Sequence, residues 1–296
     1  MKELVIPTIG PYQQSPLLNL PDPMTEAEFR RISSYMEKQV GIKMPETKKL
    51  MIQSRLTSRL KALGLSTFSD YIDYVFSSDR NQNEEITTMI DVLTTNLTRF
   101  FREKQHFNVM VKTVLPSLVH EGTLSPHIWS AGCSSGEEPY TISMVMQEYM
   151  RKRPGKLTDY HILATDISTR VLDKARTAVY PMETVEALSM DIKKRYFLKS
   201  RADVDPPVVR VNAQTRQKVT FKRLNFMDRM FDVPMQNIIF CRNVLIYFDK
   251  ETQRSVLLKL VNKLDEGGFL FLGHSETIFG MDLPVETIAP TVFRKV

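Results

Sequence analysis

From about residue 120 the chain alternates short strand-like runs with amphipathic helical stretches. This alternation restricts the fold more than any other feature. His127–Ala131, His161–Ile167, Val219–Phe226, Asn237–Leu245 and Phe269–His274 carry strand character, and Pro284–Val296 has room for one or two strands more. Glu138–Met150, Thr169–Ala178 and Asp249–Leu264 carry helical periodicity between them. Strands joined by crossover helices pair in parallel and are covered on both faces. The expected class is therefore α/β, with a mostly parallel sheet whose ligands bind at the carboxyl ends of its strands. Residues 180–220 interrupt the alternation. Asp191–Leu198 is expected to be a short helix. Val208–Asn212 and Lys218–Phe221 are expected to form a small antiparallel ribbon across Gln214-Thr215-Arg216, an insertion on the sheet domain.

Before residue 120 the pattern is helical. Thr25 with Glu28 three residues on marks a helix start, followed by Phe29, Ile32, Tyr35 and Met36 at helical spacing. A second helix spans Glu46 to Leu63, with Ile52, Leu56, Leu60 and Leu63 as its apolar stripe and Gly64 as its stop. Thr67–Val75 and Asn83–Leu93 supply a third and a fourth. A chain of 296 residues, at about 150 per domain, has room for two. The expected division is a proline-rich tail over 1–22, a helical domain over 23–95, a linker helix over 96–115 and a sheet domain over 116–296.

Composition narrows the setting. The longest apolar runs, such as Phe269–Leu272, are far short of the roughly 20 residues a membrane span requires. No secretory signal is visible, and two cysteines, Cys133 and Cys241, fit a reducing compartment, so a cytoplasmic location is expected. Forty basic and 34 acidic residues leave a net charge of +6, which suits an acidic partner. Part of this charge has a place. On the second helix Lys48, Arg55 and Arg59 fall within roughly 40° of one another. They are either a solvated flank covering the core edge or a ridge that docks an acidic helix or a phosphate backbone.

Four segments carry polar residues where ligands of such sheets bind. In Trp129–Tyr140 a strand ends, a loop with Gly132 and Gly136 turns, and a helix begins. No Lys-Ser/Thr follows, so this is not a phosphate loop. Glu137 and Glu138 at the helix start would repel a phosphate and suit a ligand with a cationic end. Asp166 ends the next strand, where an acid commonly takes two ribose hydroxyls. In Leu93–Arg102, Asn96, Thr98 and Arg102 flank the pair Phe100 and Phe101. On helical spacing Thr98 and Arg102 share a face. Finally, Arg242 and Asn243 stand where the strand Asn237–Leu245 leaves the sheet, with Asn225 after the preceding strand at the same level.

Taken in order and spacing, TTNLTRFFR, WSAGCSSGEEPY, ATDIS, VLDKAR, FKRLNF and IIFCRNVLIYF resemble the chemotaxis receptor methyltransferases, the CheR family. The resemblance covers roughly residues 25–296. It implies a Rossmann-like S-adenosylmethionine-dependent methyltransferase sheet, an N-terminal helical substrate-recognition domain and an inserted β-subdomain. The implied activity is methyl transfer from S-adenosyl-L-methionine to glutamates on chemoreceptor cytoplasmic helices, leaving S-adenosyl-L-homocysteine. The implied cofactor residues are Asn96, Thr98, Arg102, Glu137, Asp166, Asn225, Phe226, Arg242 and Asn243. Glu137 would meet the methionine amino group, Asp166 the ribose, and Asn225 with Phe226 the adenine. Arg102 and Tyr247 resemble the pair that handles the substrate carboxylate. Lys48, Arg55 and Arg59 become candidates for receptor recognition, which would make substrate binding salt-dependent.

One departure stands out. Members that tether to a receptor's C-terminal pentapeptide carry a glycine-rich loop in the β-subdomain, whereas Lys199–Pro207 here has no glycine. Recognition without the tether is expected. Two rival readings share parts of the pattern. A nucleic-acid methyltransferase would also be basic. However, Asp205-Pro206-Pro207-Val208 lacks the aromatic of its Asp/Asn-Pro-Pro-aromatic motif and lies upstream of the required strand. A non-catalytic nucleotide-sensing module would not need so full a set of polar residues at the ligand end. Neither nucleic acid nor membrane insertion is expected among the partners.

Overall fold

The computed structural model describes residues 21–77, 82–201 and 204–296, so nearly all of the proline-rich stretch 1–22 lies outside the described residues. The first helix, α1 (Glu26–Tyr35), begins where the sequence marks it. The Thr25 hydroxyl accepts from the Glu28 N–H, and the Glu28 carboxylate takes the Thr25 N–H at 2.6 Å. A one-turn 3-10 segment, Glu46–Lys48, leads into α2 (Lys49–Leu63), which ends on Gly64 in the left-handed region. Helices α3 (Phe68–Phe76) and α4 (Gln82–Leu93) complete a small helical unit. Its core holds Phe29, Ile32, Ile52, Leu56, Tyr71, Ile72, Met89 and Ile90.

Between α4 and α5 (Lys104–Val109) the chain is not helical. The expected linker helix over 96–115 therefore starts eight residues late. Residues 95–99 are irregular, and both Phe101 (φ 54°) and Glu103 (φ 55°) adopt left-handed backbone. Thr98 and Arg102 consequently do not share a helix face. The aromatic pair explains the departure. Phe100 is buried edge-on against Tyr180 and Phe197, and Phe101 bridges that core and the neighbouring one, where it packs against Phe107.

The sheet has the order β6-β2-β1-β7-β8-β10-β9, from β1 (His127–Ala131), β2 (His161–Asp166), β6 (Val219–Arg223), β7 (Gln236–Cys241), β8 (Leu264–Leu272), β9 (Val285–Ala289) and β10 (Val292–Lys295). The five strands from β6 to β8 run parallel, and β10 and β9 close the edge antiparallel. Side chains alternate between two cores. Trp129, Ile239, Cys241, Leu270 and Leu272 face α11 (Lys250–Val261), whereas Ile128, Ile238, Phe240, Phe269 and Phe271 face α6 (Leu115–His120) and α7 (Glu137–Lys152). Both faces are thus apolar, as a covered sheet demands. Helix α8 (Thr169–Thr177) follows β2. The insertion is a separate antiparallel sheet of order β3-β5-β4, from β3 (Val179–Pro181), β4 (Phe197–Lys199) and β5 (Val208–Val211). The ribbon expected between 208–212 and 218–221 does not form. Ala213–Arg216 is a helical turn capped by Asn212, and it sends Val219–Arg223 back to the main sheet beside β2.

The basic face beside the apolar stripe of α2 is mostly committed inside the protein: Arg55 and Arg59, expected as candidates for receptor recognition, both have partners of their own. Arg55 donates from one nitrogen to the carbonyls of Val92, Leu93 and Thr94, closing the open end of α4. Arg59 makes a two-pronged pair with the buried Glu85, at 2.9 and 2.7 Å, and Tyr71 donates to the same carboxylate. Spacing places these cations on one face but does not reveal what α4 presents to them. Arg59→Met is expected to cost about 3–5 kcal/mol by leaving Glu85 buried with one hydroxyl donor. Arg31→Ala, which breaks an exposed pair with Asp73, should cost under about 1 kcal/mol. Urea unfolding measures both, and equal small losses would contradict the assignment.

Candidate functional site

A cleft opens at the carboxyl ends of β1, β2 and β7, walled on the other side by the helical unit and the irregular segment 94–102. Its lining brings together Asn96, Thr98, Arg102, Asp166, Asn225, Phe226, Arg242, Asn243, Tyr247 and Lys48, drawn from distant parts of the sequence. Arg55, Arg59 and Glu137 are not in the lining.

The first turn after β1 is shaped by backbone bonds. Gly132 and Cys133 both donate to the Thr165 carbonyl, at 2.8 and 2.9 Å. Gly132 adopts φ 85°, and a Cβ there would lie 2.4 Å from Val244 Cγ2, so only glycine lets the two ligand-end turns meet. Ser134 donates its N–H to Asp166 Oδ2 at 2.8 Å and its hydroxyl to the Asn96 carbonyl at 3.0 Å. One serine thus ties the glycine turn to both the second strand and the irregular segment. Asp166 also accepts from the Ser168 N–H at 3.0 Å. Burial pushes its carboxyl up despite these bonds.

At the helix start two adjacent acids point about 100° apart and take different partners. Glu137, the expected partner of the ammonium, is buried beside the first turn, and Glu138 stands next to it in the cleft wall. The Glu137 carboxylate is turned to the Ser135 hydroxyl at 2.7 Å. Glu138 lines the cleft, accepting from Ser130 at 2.7 Å and from Arg242 at 3.2 Å. Burial raises its carboxyl pKa, and the Arg242 guanidinium opposes that rise.

Arg242 has a side chain only 1% exposed. It donates to Glu103, to Glu138 and to the Arg102 carbonyl, and lies over the Phe107 ring. It therefore acts on the cleft mainly by placing its partners. Asn243, left-handed at φ 59°, donates its side-chain N–H to Glu103 at 3.1 Å, which leaves its amide oxygen for a ligand. Asn225 donates to the Gln39 carbonyl and accepts from the Met227 N–H, joining sheet and helical unit, while Phe226 packs edge-on against Phe231 and Phe248. At the mouth Arg102 donates to the Leu97 carbonyl at 2.9 Å, and the Lys48 ammonium lies 5.8 Å from the centre of the Tyr247 ring. Arg99 completes a cationic rim.

Two carboxylates behind the cleft escaped the sequence reading. Glu103 lies one residue beyond the TTNLTRFFR motif and grips Arg242 and Asn243 together. Glu276 carries no recognisable motif, since three of its four partners are backbone N–H groups more than 30 residues away.

The donor set fits an S-adenosylmethionine-type ligand. Acceptors at Glu138 and Asn243 suit an ammonium, Asp166 suits ribose hydroxyls, and Phe226 offers an aromatic face. Comparisons with known proteins agree on the class. The model of the CheR methyltransferase all-alpha domain matches residues 27–94, and that of the CheR methyltransferase SAM binding domain matches residues 96–293. The chemotaxis protein methyltransferase of Borreliella burgdorferi is 39% identical over 282 residues, covering 94% of this chain and 97% of that protein. Its counterpart in Salmonella typhimurium is 37% identical over 255 residues, covering 86% and 84%. That of Escherichia coli is 35% identical over 271 residues, covering 91% of each.

Behind Glu103 lies a group that reports on this region. His106 is 1% exposed, its Nε2 is 2.8 Å from the Thr291 hydroxyl, and its Nδ1 is 3.4 Å from Glu103. Burial, and then the Arg242 charge, lower its pKa to about 4. Below the usual value of about 6.5 the unfolded chain binds a proton that the folded chain refuses. The stability associated with neutral His106 is whole above pH 6.5 and is lost as pH falls toward 4. Relative to His106→Gln, wild type should lose roughly 3 kcal/mol between pH 7 and pH 4. Denaturant unfolding across that range checks it, and a constant difference would count against a buried neutral imidazole.

Proposed function

The chain belongs to the CheR methyltransferase family, and from that premise we propose that it is a protein-glutamate O-methyltransferase acting in the cytoplasm on chemoreceptor helices. S-adenosyl-L-methionine, when bound, would supply an electrophilic methyl group. The observation that carries the reading is the polarity of one cleft. Its lining offers Glu138, Asn243 and Asp166 to a cationic, hydroxylated ligand, and Lys48, Arg99 and Arg102 to an incoming carboxylate.

The chemistry asks little of the protein in proton transfer. A glutamate side chain is ionised at pH 7, so its oxygen needs no general base. The residues must bind, align and dry the reacting groups. Arg102 and Tyr247, both in the lining of the cleft, orient the carboxylate. Arg102 should hold it loosely, because binding that is equal in ground and transition states adds nothing to turnover. Asn96, Thr98, Asn225 and Phe226 would hold the cofactor, and Arg242 acts through Glu138 and Glu103. Of Lys48, Arg55 and Arg59, Lys48 alone lines the cleft, so receptor recognition rests on Lys48 of the helical unit together with Arg99 and Arg102 of the irregular segment.

The absence of glycine from Lys199–Pro207 supports recognition without a C-terminal pentapeptide tether. Of that stretch, residues 202–203 lie outside the described residues.

Transfer of labelled methyl from S-adenosylmethionine to receptor membranes, with DNA as control, tests the activity. Label should enter receptor peptides as base-labile glutamate esters and stay out of DNA. Asp166→Asn should weaken binding of S-adenosylhomocysteine by about tenfold or more, since hydrogen bonds to a charged group contribute about 1.5–3 kcal/mol. Arg102→Ala should keep most of that affinity and lose about 10²-fold in turnover. Near-normal methylation by Arg102→Ala would sink its assigned role, and label in DNA alone would sink the function.

A further inference from the structure

Glu276 is 6% exposed and is not part of the cleft lining, yet it is the most heavily hydrogen-bonded carboxylate near the site. Its Oε1 accepts from the N–H groups of Val244 and Leu245, both at 2.8 Å. Its Oε2 accepts from Asn243 at 3.0 Å and from Gly273 at 2.6 Å. Three consecutive N–H groups converging on one carboxylate define the backbone of the turn after β7. That turn carries much of the ligand end. Asn243 lines the cleft from its first position, and Val244 fills the space that Gly132 leaves open. The 3-10 segment Leu245–Tyr247 then delivers Tyr247, whose carbonyl accepts from the Lys43 N–H of the helical unit at 3.0 Å.

Asn243 needs such support. Left-handed backbone is uncommon for a residue other than glycine and persists only where the surroundings impose it. Here Glu276 holds its backbone N–H and Glu103 holds its side-chain N–H. Two acceptor-only groups, one on each side, fix which way the amide faces. Gly273 lies flush against the same residue: a Cβ there would be 2.6 Å from Asn243 Nδ2 and 2.8 Å from its backbone nitrogen.

We propose that Glu276 is a positioning residue for cofactor binding, acting through the Asn243–Leu245 turn rather than by touching the ligand. The proposal rests on the cofactor site described above. Its consequence is specific. Replacing Glu276 should act on cofactor affinity and on turnover, and leave receptor affinity within about twofold. Its effect should also disappear when the Asn243 side chain is already gone.

The test uses the full chain and calorimetric binding of S-adenosylhomocysteine to wild type, Asn243→Ala, Glu276→Gln and the double variant. Glutamine retains one acceptor oxygen and turns an NH₂ group toward the remaining N–H donors, so the turn should loosen. Groups one layer behind a binding residue typically cost about 10- to 100-fold when removed. Glu276→Gln should weaken binding by at least about tenfold, and the double variant should bind within about threefold of Asn243→Ala alone. A Glu276→Gln variant with unchanged affinity, beside an impaired Asn243→Ala, would overturn the proposal. Full additivity in the double variant would overturn it too, because Glu276 would then act by another route. An unaffected Asn243→Ala would instead remove the site assignment, and the proposal with it. If Glu276→Gln does not fold, Gly273→Ala presses on the same turn from outside. It should reproduce the loss, and unchanged affinity there would also overturn the proposal.

Discussion

The ligand end of this protein depends on a buried cation held between two carboxylates. Arg242, with a side chain 1% exposed, joins Glu103 of the irregular segment to Glu138 of α7 and takes the Arg102 carbonyl as well. Burying such a network in place of an apolar cluster does not by itself add stability, because desolvation offsets much of the attraction. What it fixes is geometry. The segment 94–103 has no helix or strand to hold it, and its approach to the sheet is set by Arg242, by Ser134 on the Asn96 carbonyl and by the two phenylalanines beneath. Glu138 is held at the same time, so the group available to an ammonium and the segment that carries Arg102 are placed by one guanidinium.

The helical unit closes the other wall, through directional bonds at several points. The Asn225 amide reaches the Gln39 carbonyl, and the Lys43 N–H reaches the Tyr247 carbonyl. Asp91 at the end of α4 accepts from the Thr169 hydroxyl and the Arg170 N–H at the start of α8. Gly41, at φ 78°, lets the chain turn where a Cβ would press on Met227 Sδ at 2.7 Å. The cleft is therefore a product of docking, since neither unit alone contains both Lys48 and Tyr247, or both Val40 and Phe226. A substrate helix arriving at the mouth meets side chains from both.

Much of this was legible in local patterns. The capping box at Thr25, the glycine stop at Gly64 and the crossover pattern from β1 onward each follow from short-range rules that tertiary contacts did not override. Asp166, Asn225, Arg242 and Asn243 reach the cleft because the carboxyl ends of parallel strands converge by construction. The errors share a different cause. Glu137 and Glu138 are equivalent in the sequence, and Arg55 and Arg59 look solvated on a helical wheel. The segment 94–103 has helical composition, but its two phenylalanines anchor it to the cores of the sheet domain. In every case the deciding partner lies far along the chain: Arg242 for Glu138, Glu85 for Arg59, Tyr180 for Phe100.

The sequence by itself determined the covered, mostly parallel sheet, the helical unit ahead of it, and ten of the residues that line the cleft. These follow from hydrophobic periodicity and from strand ends, properties that a residue and its near neighbours carry with them. Tertiary structure alone decided which partners the two adjacent acids take and which cations of the helical unit are paired inside the protein. It also decided that Glu276, with no motif around it, underlies the turn bearing Asn243. Those outcomes depend on pairing between groups brought together from distant positions. In a low-dielectric interior an ionised or hydrogen-bonding side chain goes where a partner exists to satisfy it, and that partner is supplied by the fold.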